Sequence, residues 1–246
     1  MCTVSWFSTP EGYELFFNRD ESIKRAEALP PESFSGNACE FLSPTDEQGG
    51  GSWVATNQFG ITVCLLNLYT NIDLIESEHF VSRGQIVRDL ADVSSLNAIY
   101  EQVNSFNLTQ FRTFRVFAID VSGKNIILAW NGKELAVESD TKAPKSSSSV
   151  DTLKVVAGRK KLFQDIGLLN SNDRAAFLSY HRSHEPNRNY SVCVHREFTK
   201  TVSMSHIIVD ENTVYFDYYN GSPCECDKPV SKKISRLTID CQSDVA

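Results

Sequence analysis

Apolar residues in this chain change period in blocks: strands, two helices, strands, two helices, strands. Val4, Trp6 and then Leu15, Phe17 alternate on either side of Thr9-Pro10-Glu11-Gly12, which reads as a hairpin. Gly49-Gly50-Gly51 turns the chain before Trp53 to Thr56, and Asn57-Gln58-Phe59-Gly60 turns it again into Ile61 to Asn67, apolar on both faces. Ser82 can cap a helix over 83–90, and Ser94 or Ser95 a second one running to Val103. Strand character returns from Phe114 to Trp130 around Gly123-Lys124. Helical spacing covers Leu153 to Phe163 and Asp173 to His181, and three closing strands are expected at Tyr190 to Arg196, Thr201 to Val209 and Thr213 to Tyr219. Each helix block returns the chain to a sheet, and the hairpin connections imply antiparallel pairing. Two antiparallel sheets covered by helices on both outer faces accommodate strands that are apolar on both sides. The expectation is an α+β, four-layer αββα sandwich formed as one domain over 1–246. The polar stretch 138–151, with Ser146 to Ser149 at its centre, reads as a mobile loop, either a linker or the border of a site.

Charge and composition exclude several functions. The chain carries a net charge of −7, which argues against nucleic acid as a partner, since phosphate binding needs clustered Lys and Arg. The one basic run, Gly158-Arg159-Lys160-Lys161, reads as an exposed helix face. No stretch approaches the roughly 18 apolar residues of a membrane span, and the N-terminus lacks the basic-then-apolar pattern of a secretory signal. Position 2 is not glycine, so myristoylation is not expected. Seven cysteines without a signal peptide read as reduced thiols in a cytoplasmic protein. Cys64 and Cys193 read as small core residues. Cys224-Glu225-Cys226 with Cys241 downstream lacks a well-placed second pair for zinc, and His181 with His184 reads as a helix end near Pro186. No metal site and no cofactor are expected.

Chemistry concentrates at the N-terminus. Cys2 directly follows Met1, and Asn18-Arg19-Asp20-Glu21 comes within one hairpin's reach. Removal of Met1 by an aminopeptidase makes Cys2 the first residue, with a thiol nucleophile and an α-amine of pKa roughly 7.7 to 8.0 on the same residue. Such an amine serves as general base for the thiol, so no histidine is required. Cys2 is expected to lie outside the core as an end-of-chain residue.

Met1-Cys2-Thr3 with Phe17-Asn18-Arg19-Asp20-Glu21 resembles the NRDE-motif family, also called the transport and Golgi organisation protein 2-like family. The resemblance continues through Gly50-Gly51-Ser52-Trp53, Asn57 to Gly60, Leu66-Asn67, Ser82-Arg83-Gly84, Cys193 to Arg196, Thr201-Val202-Ser203 and Tyr219 to Cys224. That family is similar to N-terminal nucleophile hydrolases of the penicillin V acylase and bile salt hydrolase group, which implies the same αββα sandwich. It also implies roles. Cys2 matches the nucleophile, Arg19 and Asp20 the pair beside it, Asn67 an oxyanion-hole position, and Arg196 a later active-site arginine; if the match holds, Arg19 favours the thiolate and Asp20 accepts a hydrogen bond from the Cys2 amine. Asn18 and Glu21 read as supports. A second oxyanion asparagine has no clear match; Asn131 and the Ser146 to Ser149 run are stand-ins.

The function implied is amidohydrolysis of a non-peptide C–N bond in a small-molecule substrate, through a thioester on Cys2. Two alternatives stay open. One is a non-enzymatic binding or trafficking protein for haem or another small molecule. The other is an acyltransferase, in which an amine or thiol captures the thioester.

Overall fold

The N-terminal hairpin sets the frame. β1 (Cys2–Ser8) and β2 (Tyr13–Ser22) pair antiparallel with Cys2 opposite Arg19 and Ser8 opposite Tyr13, so the turn falls on Thr9 to Gly12 as the sequence suggests. The computed structural model, which describes residues 1–69 and 80–237, builds two sheets from this start. β3 (Leu29–Ser35), β4 (Glu40–Thr45), β5 (Val54–Asn57), β6 (Thr62–Asn67), β7 (Phe114–Ile119), β8 (Asn125–Trp130) and β9 (Leu135–Ser139) follow one another in a second sheet, in chain order. The first sheet has the order β10-β1-β2-β11-β12-β13, with β10 at Lys145–Ser147, β11 at Thr199–Val209, β12 at Thr213–Asn220 and β13 at Val230–Ser235. All pairings between these strands are antiparallel.

Helices close both outer faces. α1 (Gly84–Leu90) and α2 (Leu96–Ser105) bury Ile86, Val87, Leu90, Ile99 and Val103 against β5 to β8. Ser95 caps α2 by accepting from the Ala98 N–H, and the Ser82 hydroxyl accepts from Gly84 at the start of α1. α3 (Thr152–Asp165) and α4 (Arg174–Arg182) pack Phe163, Phe177 and Tyr180 on Phe7 and Phe16 of the first sheet. Between the sheets lies a third apolar layer, with Val4, Trp6, Leu15 and Phe17 meeting Leu42, Val54, Leu66 and Phe117. Three apolar layers between four structural layers explain why the central strands are apolar on both faces. The αββα sandwich is therefore the fold. No described helix is long and apolar enough to cross a membrane.

Three local expectations are corrected, and three strands come without a sequence signal. The stretch 138–151 contributes the end of β9 and the whole of β10, which pairs Ser147 with Cys2, so it is a sheet edge and not a mobile loop. Residues Tyr190 to Arg196 form no strand. Their N–H groups go to scattered partners, such as Cys193 to the Ser183 carbonyl and His195 to the Arg188 carbonyl. β3, β4 and β13 carry no clear strand signal; Pro30, Pro31 and Pro44 mask the first two, and β3 tolerates its prolines because it is an edge. Arg159 is not on an exposed face: it is 1% exposed, on the buried stripe of α3 between Val155 and Phe163. Cys241 lies outside the described residues.

Candidate active site

Strand alternation decides which side chains meet. Cys2 and Arg19, opposite each other, turn toward the space between the sheets, and the Arg19 guanidinium stacks 3.9 Å over the Trp53 ring. Its charge is shared by Glu21 at 3.7 Å and Asp46 at 3.8 Å, and Arg25 holds Asp46 with Nη2 at 2.5 Å. These groups line a cavity of about 290 Å³ together with Met1 and Cys2. Asn67 lines it from the last position of β6 on the facing sheet. Asn67 carries two amide N–H donors on Nδ2, and the structure uses one on the Tyr69 hydroxyl at 3.0 Å. The segment entering α1 forms another wall, brought close by a pair of glycines. A Cβ on Gly51 would stand 2.3 Å from the Gly84 carbonyl carbon, and Ser52 N–H donates to the Gly84 oxygen at 3.0 Å.

The other side of the same hairpin is closed. Asn18 donates Nδ2 to the carbonyls of His181 at 2.9 Å and Val192 at 3.1 Å, and its Oδ1 meets His181 Nδ1 at 2.9 Å. Asp20 is 1% exposed. Its Oδ1 accepts from Thr201 Oγ1 at 2.6 Å, and its Oδ2 faces Arg159 Nη2 at 3.4 Å. Arg159 also donates to Thr3 Oγ1 at 2.6 Å. The register of β11 against β2 shifts between Thr201 and Ser203, directly opposite Asp20 and Arg19. Such a bulge re-aims side chains, and here it lets Thr201 reach Asp20.

The Asp20 carboxylate thus has other partners than the chain's amine. With Met1 in place the Cys2 N–H donates to Ser147 Oγ at 3.1 Å, and the Met1 ammonium donates to the Asp20 main-chain oxygen at 2.9 Å. Arg159 and Thr201 are the site residues to which sequence reading gave no role, whereas Ser147 belongs to the Ser146 to Ser149 run named as a stand-in and here meets the Cys2 nitrogen. Arg159 was detectable, since Val155, Arg159 and Phe163 share one helix stripe.

Met1 plugs the site. It is 9% exposed, and its Sδ is met by Arg196 Nη1 at 3.1 Å and Ser149 Oγ at 3.4 Å. Arg196 Nη2 also reaches Ser148 Oγ at 3.4 Å. Beneath this plug Cys2 is buried within the inter-sheet core, contrary to the expectation of an end-of-chain residue outside it. Burial pushes its thiol up to about 11, reinforced by Asp20 and Glu21; the nearby ammonium and Arg19 pull the other way and do not prevail. Burial alone would lower the Met1 amine, but Cys2, Tyr69, Asp20 and Glu21 together raise it above the usual value.

Of the residues singled out from sequence, Cys2, Arg19, Asp20, Glu21 and Asn67 border one cavity. Asn18 lies behind them, and Arg196 reaches the site through Met1. Asn131 does not join: its Oδ1 accepts from Lys133 and Glu134 N–H in the turn between β8 and β9. A larger cleft of about 550 Å³ lies elsewhere, lined by Ser8, Lys142 and Asn172 among others; no cysteine or histidine borders it, so it offers no comparable nucleophile.

Comparison with known proteins agrees with this architecture. Residues 1–217 match the family model described as Transport and Golgi organisation 2. No curated protein matches the sequence. Solved structures do resemble the fold. Penicillin V acylase from Agrobacterium tumefaciens is 13% identical, with 95% of this chain and 90% of that chain covered and a TM-score of 0.53. The Caenorhabditis elegans N-acylethanolamine-hydrolyzing acid amidase ortholog is 10% identical, with 86% and 93% covered and a TM-score of 0.60. A variant of the conjugated bile acid hydrolase from Clostridium perfringens is 14% identical, with 97% of both chains covered and a TM-score of 0.54. At these identities the likeness establishes a shared fold, the αββα sandwich.

Proposed function

The chain belongs to the Transport and Golgi organisation 2 family, and on that premise we propose that it is an amidohydrolase of non-peptide C–N bonds whose nucleophile is Cys2 after loss of Met1. One observation carries the reading: the β1–β2 register sets Cys2 beside Arg19 at the wall of a cavity that Asn67 borders from the opposite sheet. The contacts of Met1 support it. A guanidinium and a hydroxyl are spent on a thioether, a weak acceptor, and both become available to a substrate once Met1 is gone.

In the processed chain the Cys2 thiol gives its proton to its own α-amine, and the thiolate attacks the amide carbon. Asn67 donates to the oxyanion, an effect worth roughly 3 kcal/mol for a well-placed donor. The α-ammonium then protonates the departing amine, leaving an acyl thioester on Cys2. Water, deprotonated by the same amine, attacks the thioester, and the carboxylic acid leaves as the thiol is restored. Arg19 lowers the thiol pKa, and Ser147 Oγ holds the Cys2 nitrogen in place. The same thioester passed to an amine or thiol would make the protein an acyltransferase.

Intact mass and an amide panel test the reading together. The expected outcome is a chain beginning at Cys2 that hydrolyses at least one N-acyl amide, with turnover lowered at least about 10⁴-fold in Cys2→Ala. Recovery of only the Met1-bearing chain from cells with normal aminopeptidase would remove the amine base. Its closed site and poorly ionised thiol would then favour the binding reading, which a visible-band titration with haem probes.

A further inference from the structure

Behind the catalytic hairpin, four residues from three segments bring their ligand atoms together. His184 follows α4, Cys193 and His195 lie in the coil before β11, and Cys224 follows β12. One ligand atom from each lies within 4.8 Å of all the others. The Cys193 and Cys224 sulfurs are 3.5 Å apart, and His195 Nε2 stands 3.6 Å from the first and 3.2 Å from the second. His184 Nε2 is buried with no hydrogen-bond partner in the structure.

We propose that His184, Cys193, His195 and Cys224 form a closed, structural Zn²⁺ site. Tetrahedral zinc takes sulfur at about 2.3 Å and imidazole nitrogen at about 2.0–2.1 Å, which places two sulfur ligands about 3.8 Å apart and a sulfur and a nitrogen about 3.6 Å apart. The three separations among Cys193, His195 and Cys224 are within a few tenths of an ångström of those values, and His184 lies within 4.8 Å of all three, so side-chain rotations centre the ion. Two thiolates balance the charge of Zn²⁺, and binding releases the two thiol protons. Four protein ligands leave no open position for water, so the site holds structure and does no chemistry on a substrate.

Its place in the fold says what it would hold. The coil over 183–198 has few ladder bonds, yet it carries three supports of the hairpin. The Val192 carbonyl accepts from Asn18, the Val194 N–H donates to Thr201, which in turn holds Asp20, and Arg196 reaches Met1. A metal between Cys193 and His195 in this coil, and His184 and Cys224 on its flanks, pins those supports in place. Cys226 is outside the set, its Sγ lying instead 3.6 Å from the Lys228 carbonyl.

Elemental analysis of the full chain, purified without chelator from zinc-sufficient cells, tests the site. The expected result is about one zinc per chain in the wild type and in Cys226→Ser, and background zinc in Cys193→Ser and Cys224→Ser. Where those variants fail to fold, the metal-stripped and reduced wild type decides. Titrated with Co²⁺, it should develop thiolate-to-cobalt charge transfer and the intense visible bands of a tetrahedral centre. Metal-free wild type that gives no such spectrum would overturn the proposal. So would a Cys193–Cys224 disulfide in freshly purified protein, or retention of zinc in folded Cys193→Ser.

Discussion

On the inner side of the β1–β2 hairpin, Cys2 and Arg19 border a cavity with charged neighbours at salt-bridge range and with Met1 as a further wall, held by Arg196. On its outer side, Asn18 and Asp20 are fully buried and each makes specific bonds to α3, α4, β11 or the coil before it. Asn18, Arg19 and Asp20 are consecutive in the chain. One side borders the cavity and the other is bonded into the fold, and the pleat separates the two without any intervening loop. Mutations one residue apart should therefore damage different properties.

The largest effect is expected on the outer side. Asp20→Ala leaves Arg159 charged, 1% exposed and without its carboxylate partner, a defect worth about 3–5 kcal/mol of stability. Chemical denaturation should show the loss directly, whereas Arg19→Leu should stay far closer to wild type. Equal destabilisation of the two variants would dissolve the distinction between the faces. On the inner side, Asn67→Ala should lower kcat by roughly 10² to 10³ with the denaturation midpoint little changed. A wild-type rate in that variant would mean that backbone N–H groups form the oxyanion hole.

A pH series sharpens the outer side. Burial, then His206 and Arg159, lowers His181 to about 3. The folded chain therefore keeps this ring neutral, bonded to Ser5 Oγ at 2.7 Å and to Asn18, while an unfolded histidine takes a proton near pH 6.5. Its stability contribution is complete above about 6.5 and is lost as pH falls from there toward 3, at a slope of up to about 1.4 kcal/mol per pH unit. His181→Gln should flatten that part of the stability curve, as read by urea midpoints. An unaltered slope would place the acid sensitivity in the carboxylates. The smallest effect belongs to Arg19→Leu. Loss of a cation that pulls the thiol down should move the pH profile of iodoacetamide labelling at Cys2 upward. An unmoved profile would mean that Arg19 serves Trp53, Glu21 and Asp46 alone.

Local pattern carried much of the architecture. Turn chemistry at Thr9 to Gly12 and Asn57 to Gly60, the Ser95 cap and the period of the apolar runs are short-range properties, and apart from Tyr190 to Arg196 the strands and helices they mark are where the structure has them. The motif around Cys2 and Arg19 was legible because one hairpin brings the two together. The pairing of Ser147 with Cys2 was not, because β10 is three residues long and polar. Arg159 was misread for a different reason: a run of basic residues looks solvated unless the helix stripe is weighed above the charge.

What the sequence alone determined is the succession of layers and the pairing of Cys2 with Arg19 in one hairpin, since both follow from periodicity and from neighbours along the chain. What only the tertiary structure decided is which long-range partners those residues acquire. Asp20 turns to Arg159 and Thr201, Met1 lies in the site, and His184, Cys193, His195 and Cys224 converge across as many as 40 positions. Contacts of that separation leave no period in the sequence, because they are set by how sheets and helices stack.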